Sequence, residues 1–128
     1  LPTLVLSGFV FSGRGEGKKF VSLPWVTRQI EEKVGFKPYL GTLNLRLTGE
    51  ALKLKSQLQN AHLISIEPAR GYCPGFLVRA KIGSLPVAIV FPEVPNYPVD
   101  VLEVVAPFCL REKGNLVDGS AVAVEVTI

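Results

Sequence analysis

Residues 12–20 read Ser-Gly-Arg-Gly-Glu-Gly-Lys-Lys-Phe. Gly13, Gly15 and Gly17 permit positive φ and let backbone N–H groups converge on an anion. Arg14, Lys18 and Lys19 add charge that suits phosphate oxygens. The stretch is not a Walker A loop, because Phe20 follows Lys19, and its Gly-x-Gly-x-Gly spacing is not the dinucleotide fingerprint. Two readings stand, a loop that wraps a phosphate and a structural hairpin. On the first, a valine at Gly15 is expected to block the loop sterically. Further along, Gly41-Thr42-Leu43-Asn44-Leu45 in extended form points Thr42 and Asn44 to one face and the leucines to the other. A hydroxyl and a carboxamide oxygen side by side are hard, neutral donors that suit Mg2+, which takes the rest of its shell from water and substrate phosphates. The plain alternative is the polar face of an edge strand. A cationic glycine segment and a paired oxygen site are parts that phosphoryl transfer uses. Glu103 interrupts the apolar run Val101–Val105 and either faces solvent or accepts a hydrogen bond from a ligand.

The other reactive residues point to less. The only histidine, His62, sits beside Leu63 and Ile64 and reads as structural. Cys73 and Cys109 offer, with His62, too few soft ligands for zinc, and read as reduced thiols of a cytoplasmic protein. Arg111, Glu112 and Lys113 read by themselves as a solvated turn.

These residues need elements to hold them. Short β-like runs between turn residues span 4–11, 43–47, 63–67, 76–82, 87–91, 101–105 and 121–128, several alternating with period two. So many short strands define a mainly β barrel or sandwich. Two helices are expected. One covers Pro24–Val34, with a Val26-Ile30-Val34 stripe and Gly35 to close it; the other covers Gly49–Gln59, with Thr48 as N-cap. The 128 residues, 48% hydrophobic and 20% charged, fit one domain over residues 1–128 with a sizeable core. A net charge of +3 suits a small polyanion and falls short of the basic stripe expected for nucleic acid. No apolar stretch approaches the roughly 20 residues that span a bilayer, so no membrane partner is expected.

Taken together, Ser12–Phe20, Gly35–Leu45, Asp100–Pro107 and Leu110–Lys113 resemble the archaeal CTP-dependent riboflavin kinases, in matching order and spacing over nearly the whole chain. The resemblance implies a compact six-stranded cradle-loop (RIFT-like) β-barrel with two short helices. It implies an enzyme that transfers the γ-phosphoryl of CTP to the 5′-hydroxyl of riboflavin, giving FMN and CDP, with Mg2+ as cofactor. By the same resemblance Arg14, Gly15, Glu16, Gly17, Lys18 and Lys19 wrap the nucleotide phosphates, and Phe108, Cys109, Leu110 and Arg111 contact the nucleotide. Thr42 and Asn44 ligate the metal, and Glu103 binds the flavin. Relatives generally carry Thr eight residues before that Glu; here the position is Pro95, with Asn96 beside it as the replacement contact. The departure motivates a second reading, a flavin- or nucleotide-binding barrel that regulates without turnover.

Overall fold

Leu4, Leu6 and Val10 point inward from the first strand, β1 (Thr3–Phe11), while Val5, Ser7 and Phe9 point out, as a two-residue period requires. The last strand, β7 (Ala121–Thr127), buries Val122, Val124 and Val126 and pairs antiparallel with β1 from Thr3↔Thr127 to Phe9↔Ala121. The structure, a computed structural model, describes residues 2–13, 15–93 and 95–128, and of Glu16 only the backbone. Between the outer two strands come β2 (Leu43–Leu47), β3 (Ile64–Ile66), β4 (Gly75–Ile82), β5 (Leu85–Pro92) and β6 (Val101–Val105). All seven expected strands are present, with ends shifted by at most two residues.

Antiparallel ladders run β4-β5-β6-β2-β1-β7, and β7 returns to β4 through Lys81↔Glu125, which closes a six-stranded barrel. The short β3 pairs with the first residues of β4. Leu6, Leu45, Leu47, Ile89, Leu102 and Val124 fill the interior. A second apolar cluster lies on the outer face of β4–β6, under helices α1 (Glu16–Ser22) and α2 (Pro24–Lys33), and contains Phe20, Val21, Val26, Ile30, Leu77 and Val105. With both faces covered, β6 and the middle of β5 are apolar almost without alternation.

Helix α2 follows its stripe: Val26 and Ile30 are fully buried, and Gly35, at φ 103°, ends the helix. The second expected helix is shorter. It forms α3 (Glu50–Leu54) and then tightens into a 3₁₀ segment, Lys55–Asn60. Its N-cap is Gly49, at φ 55°, not Thr48, and no side chain caps it. Lys55 Nζ donates to the carbonyls of Val99 and Val101 at 2.9 and 3.0 Å, which ties this segment to the start of β6.

Two further short helices were not expected, α1 and α4 (Leu110–Lys113). Residues 16–20 are therefore neither loop nor hairpin. Burial of Phe20 and Val21 against the barrel wall holds them in a helix of seven residues, too short to register as a period. Among the described residues, no helix is long and apolar enough to cross a membrane.

Candidate functional site

Strand alternation places Phe11, Asn44 and Glu103 in one row on the outer face of β1, β2 and β6, through the pairs Phe11↔Asn44 and Asn44↔Glu103. Glu103 is 2% exposed, the one charged side chain in the buried set among the described residues. Helix α1 covers it: Gly17 lies against the carboxylate so closely that a Cβ there would overlap Oε2. A buried carboxylate needs donors. The Thr42 hydroxyl donates to Oε2 at 2.6 Å and the Tyr97 hydroxyl to Oε1 at 2.5 Å.

Gly13 approaches Asn44 in the same way, since a Cβ there would stand 2.5 Å from Oδ1. Gly15 differs. It holds φ 83° as the N-cap of α1 and has open space around it. The expectation that a side chain at Gly15 blocks the loop sterically is thus corrected: its demand is conformational, and the blocking positions are Gly13 and Gly17.

Two clefts flank the contact between Gly13 and Asn44. The first, about 430 Å3, lies between the glycine segment with Lys18, residues 39–44 and residues 108–111. The second, about 300 Å3, is lined by Phe11, Arg46, Tyr97, Asp100 and Glu103 among others. Ser12, Gly13 and Asn44 line both. In the second cleft the Arg46 guanidinium lies 4.4 Å above the Phe11 ring and 3.3 Å from Asp100 Oδ2.

Arg111 in the first cleft is aimed by Asp118. Its guanidinium donates to Asp118 Oδ1 at 2.7 Å, and the Ser12 hydroxyl donates to Oδ2 at 3.0 Å. The Arg111 hydrogen bond, and then that of Ser12, hold the Asp118 carboxyl below the usual carboxylate range. The group is therefore charged at and above that range, and the pairing is lost only as the pH falls through the lowered value. On the neighbouring wall, Tyr39 donates its backbone N–H to Ala106 O at 2.8 Å and lays its ring against Gly41. A hydrogen bond with Cys109 holds the Tyr39 hydroxyl above its ordinary range, so it stays protonated.

Most residues singled out in the sequence converge here. Gly15, Lys18, Thr42, Asn44, Phe108, Cys109, Leu110 and Arg111 line the first cleft, with Leu110 itself buried, while Gly17 and Glu103 meet beneath α1. Lys19 is exposed on α1 and lines neither cleft. Pro95 and Asn96 stand in an exposed turn, Asn96 at φ 62°, and it is Tyr97 that reaches Glu103. Arg14 and the Glu16 side chain lie outside the described residues. Sequence reasoning passed over Tyr97, Asp118, Ser12 and Tyr39, although all four stand in or beside segments it had singled out.

The oxygen donors Thr42, Asn44 and Glu103 are hard ligands in character. Among the described residues no group of three or more His, Cys, Asp or Glu side chains is placed to hold a metal.

The architecture is that of a closed antiparallel barrel with two adjoining clefts on its outer wall, beside a glycine-led helix. A family model described as "CTP-dep_RFKase: Domain of unknown function DUF120" matches residues 10–126, and the chain belongs to that family. It is 40% identical over 130 residues to a riboflavin kinase of Archaeoglobus fulgidus, covering 98% of this chain and 56% of that protein. It is 43% identical over 125 residues to one of Pyrobaculum islandicum (94% and 59%) and 39% identical over 132 residues to one of Pyrobaculum aerophilum (100% and 63%). The chain thus spans about three-fifths of the length of these relatives.

Proposed function

We propose that this chain transfers the γ-phosphoryl of CTP to the 5′-hydroxyl of riboflavin, giving FMN and CDP, in the cytoplasm. The observation that carries the reading is the pair of clefts sharing one wall, with Asn44 in both and the Thr42–Glu103 hydrogen bond beside it. Two substrates, one on each side of that wall, would meet at it. The riboflavin kinase names of the relatives supply the acceptor, and the family description supplies CTP.

The nucleotide fits the first cleft. Lys18 and Arg111 bring positive charge to it, and residues 108–111 line the same space. Cytosine presents an amino donor beside two acceptors, a pattern that a peptide edge can match and that uracil would mismatch. The flavin fits the second cleft, beside Glu103, Tyr97 and the Phe11–Arg46 stack. Thr42 and Asn44 would hold Mg2+, which would supply charge neutralisation to the phosphates. The chain's own work is then positioning and charge complementarity. Both Glu103 oxygens already accept hydroxyl protons, which suits binding rather than proton removal. A loose phosphoryl-transfer transition state needs little early deprotonation of the attacking hydroxyl.

The direct test is purified protein with riboflavin, Mg2+ and either CTP or ATP, with FMN resolved by chromatography. FMN formed from CTP and not from ATP is the expected result. Flavin or nucleotide bound without product would replace this reading with the regulatory one, which the exposed Pro95 turn favours. A second expectation concerns Asp118→Asn. An exposed ion pair contributes little to stability, so thermal unfolding should barely move. The KM for CTP should rise several-fold because Arg111 loses its charged anchor; an unchanged KM would show that Arg111 is not held for the nucleotide.

A further inference from the structure

Glu103 touches both halves of the site. Oε2 is bonded to Thr42, which lines the nucleotide-side cleft, and Oε1 to Tyr97, which lines the other. In both bonds the hydroxyl is the donor and the carboxylate oxygen the acceptor, so each hydroxyl gives its proton to Glu103. A hydroxyl has one proton and two lone pairs. Once the Thr42 proton is directed into the wall, only lone pairs remain to face the cleft. A cation needs lone pairs and is repelled by a proton dipole, so the orientation it requires is set before it arrives. Burial of Glu103 at 2% exposure, under Gly17, keeps water from competing for the Thr42 proton.

We propose that Glu103 is a positioning residue for the cation side of the site, orienting the Thr42 oxygen towards the nucleotide cleft, in addition to its place on the flavin side. The inference rests on the phosphotransfer reading. It differs from a flavin contact in one respect: it holds with no flavin present.

The test is Mn2+ binding, followed by the paramagnetic resonance of free Mn2+, with CDP present and riboflavin absent. Thr42→Val removes the oxygen and should weaken Mn2+ by tenfold or more. Glu103→Ala removes the acceptor and should weaken it about tenfold, the lower end of the loss typical of groups that orient metal ligands. Added to Thr42→Val, Glu103→Ala should cost no more than twofold further, because no hydroxyl is left to orient. Glu103→Asp keeps the charge but withdraws it from Thr42 by one methylene. It should show the same loss, and that loss should likewise vanish when Thr42→Val is already present. This separates orientation from bulk charge and stands in if the alanine variant does not fold. Tyr97→Phe, acting on the other oxygen, should leave Mn2+ binding within twofold.

Glu103 variants that bind Mn2+ within twofold of the parent chain overturn the inference. So do losses that multiply in the double variants, since they would report long-range charge alone. A parent chain that binds no Mn2+ alongside CDP overturns the phosphotransfer reading itself, a different outcome from either.

Discussion

Gly17→Ala is expected to lower kcat/KM for FMN formation by about 100-fold, the scale of loss from displacing a reacting group by roughly 1 Å. Helix propensity predicts the opposite direction for stability, because alanine within a helix is favoured over glycine by about 1 kcal/mol. Contact geometry decides against that gain. The new Cβ would overlap Glu103 Oε2, and this carboxylate cannot swing aside freely, being buried and pinned by Thr42 and Tyr97. Either α1 lifts from the wall or Glu103 abandons both hydroxyls; each opens the site. Gly15→Ala is the control. It meets no atom within 4 Å and incurs only the left-handed backbone cost, about 1–2 kcal/mol. Its activity should fall far less than that of Gly17→Ala. Steady-state kinetics with thermal unfolding on both variants checks this, and a fully active Gly17→Ala would mean that α1 does not need to seat on Glu103.

Asn44→Ala should reduce turnover by about 100- to 1,000-fold, the range seen when one preorganised polar group at a reacting centre is removed. Asn44 lines both clefts, and its carboxamide packs against Gly13. Alanine there takes away an oxygen donor and leaves the glycine segment without the surface it rests on. Riboflavin binding, read by quenching of flavin fluorescence, should stay within a few-fold, because the Phe11, Arg46, Tyr97 and Glu103 wall is intact. Mg2+ titration should show the loss concentrated in cation dependence. Full turnover in this variant would remove Asn44 from the cation site; lost flavin binding with unchanged cation dependence would move it to the flavin side.

How much of this was legible varies with the physics of each element. β1 and β7 have one face in the barrel and one outside, so alternation reveals them directly. β6 is buried on both faces, and its apolar run marks a strand without saying which side Glu103 takes. That side is set by its pairing with Asn44 and by α1 lying over it, both contacts between distant parts of the chain. Helix α1 itself has two buried apolar residues in one turn, Phe20 and Val21, too few for a pattern. The glycines were legible as special but not in their separate roles. Close approach at Gly13 and Gly17 depends on Asn44 and Glu103, residues far along the chain, whereas the left-handed φ at Gly15 is local. Asp118 shows the same limit. It is seven residues from Arg111, but Ser12 is 106 residues from it, and no local rule links the three.

The way the barrel closes bears on how the molecule can loosen without losing its site. Among the described residues, one register pair, Lys81↔Glu125, joins β7 to β4, while most other ladders carry four or more. Around the ring that joint lies opposite the β2–β6 ladder, where Asn44 faces Glu103. Breathing that began at this joint would have to unzip two ladders in either direction before reaching the β2–β6 ladder. The fold thus sets the joint with the fewest paired residues farthest around the ring from the Asn44–Glu103 pair.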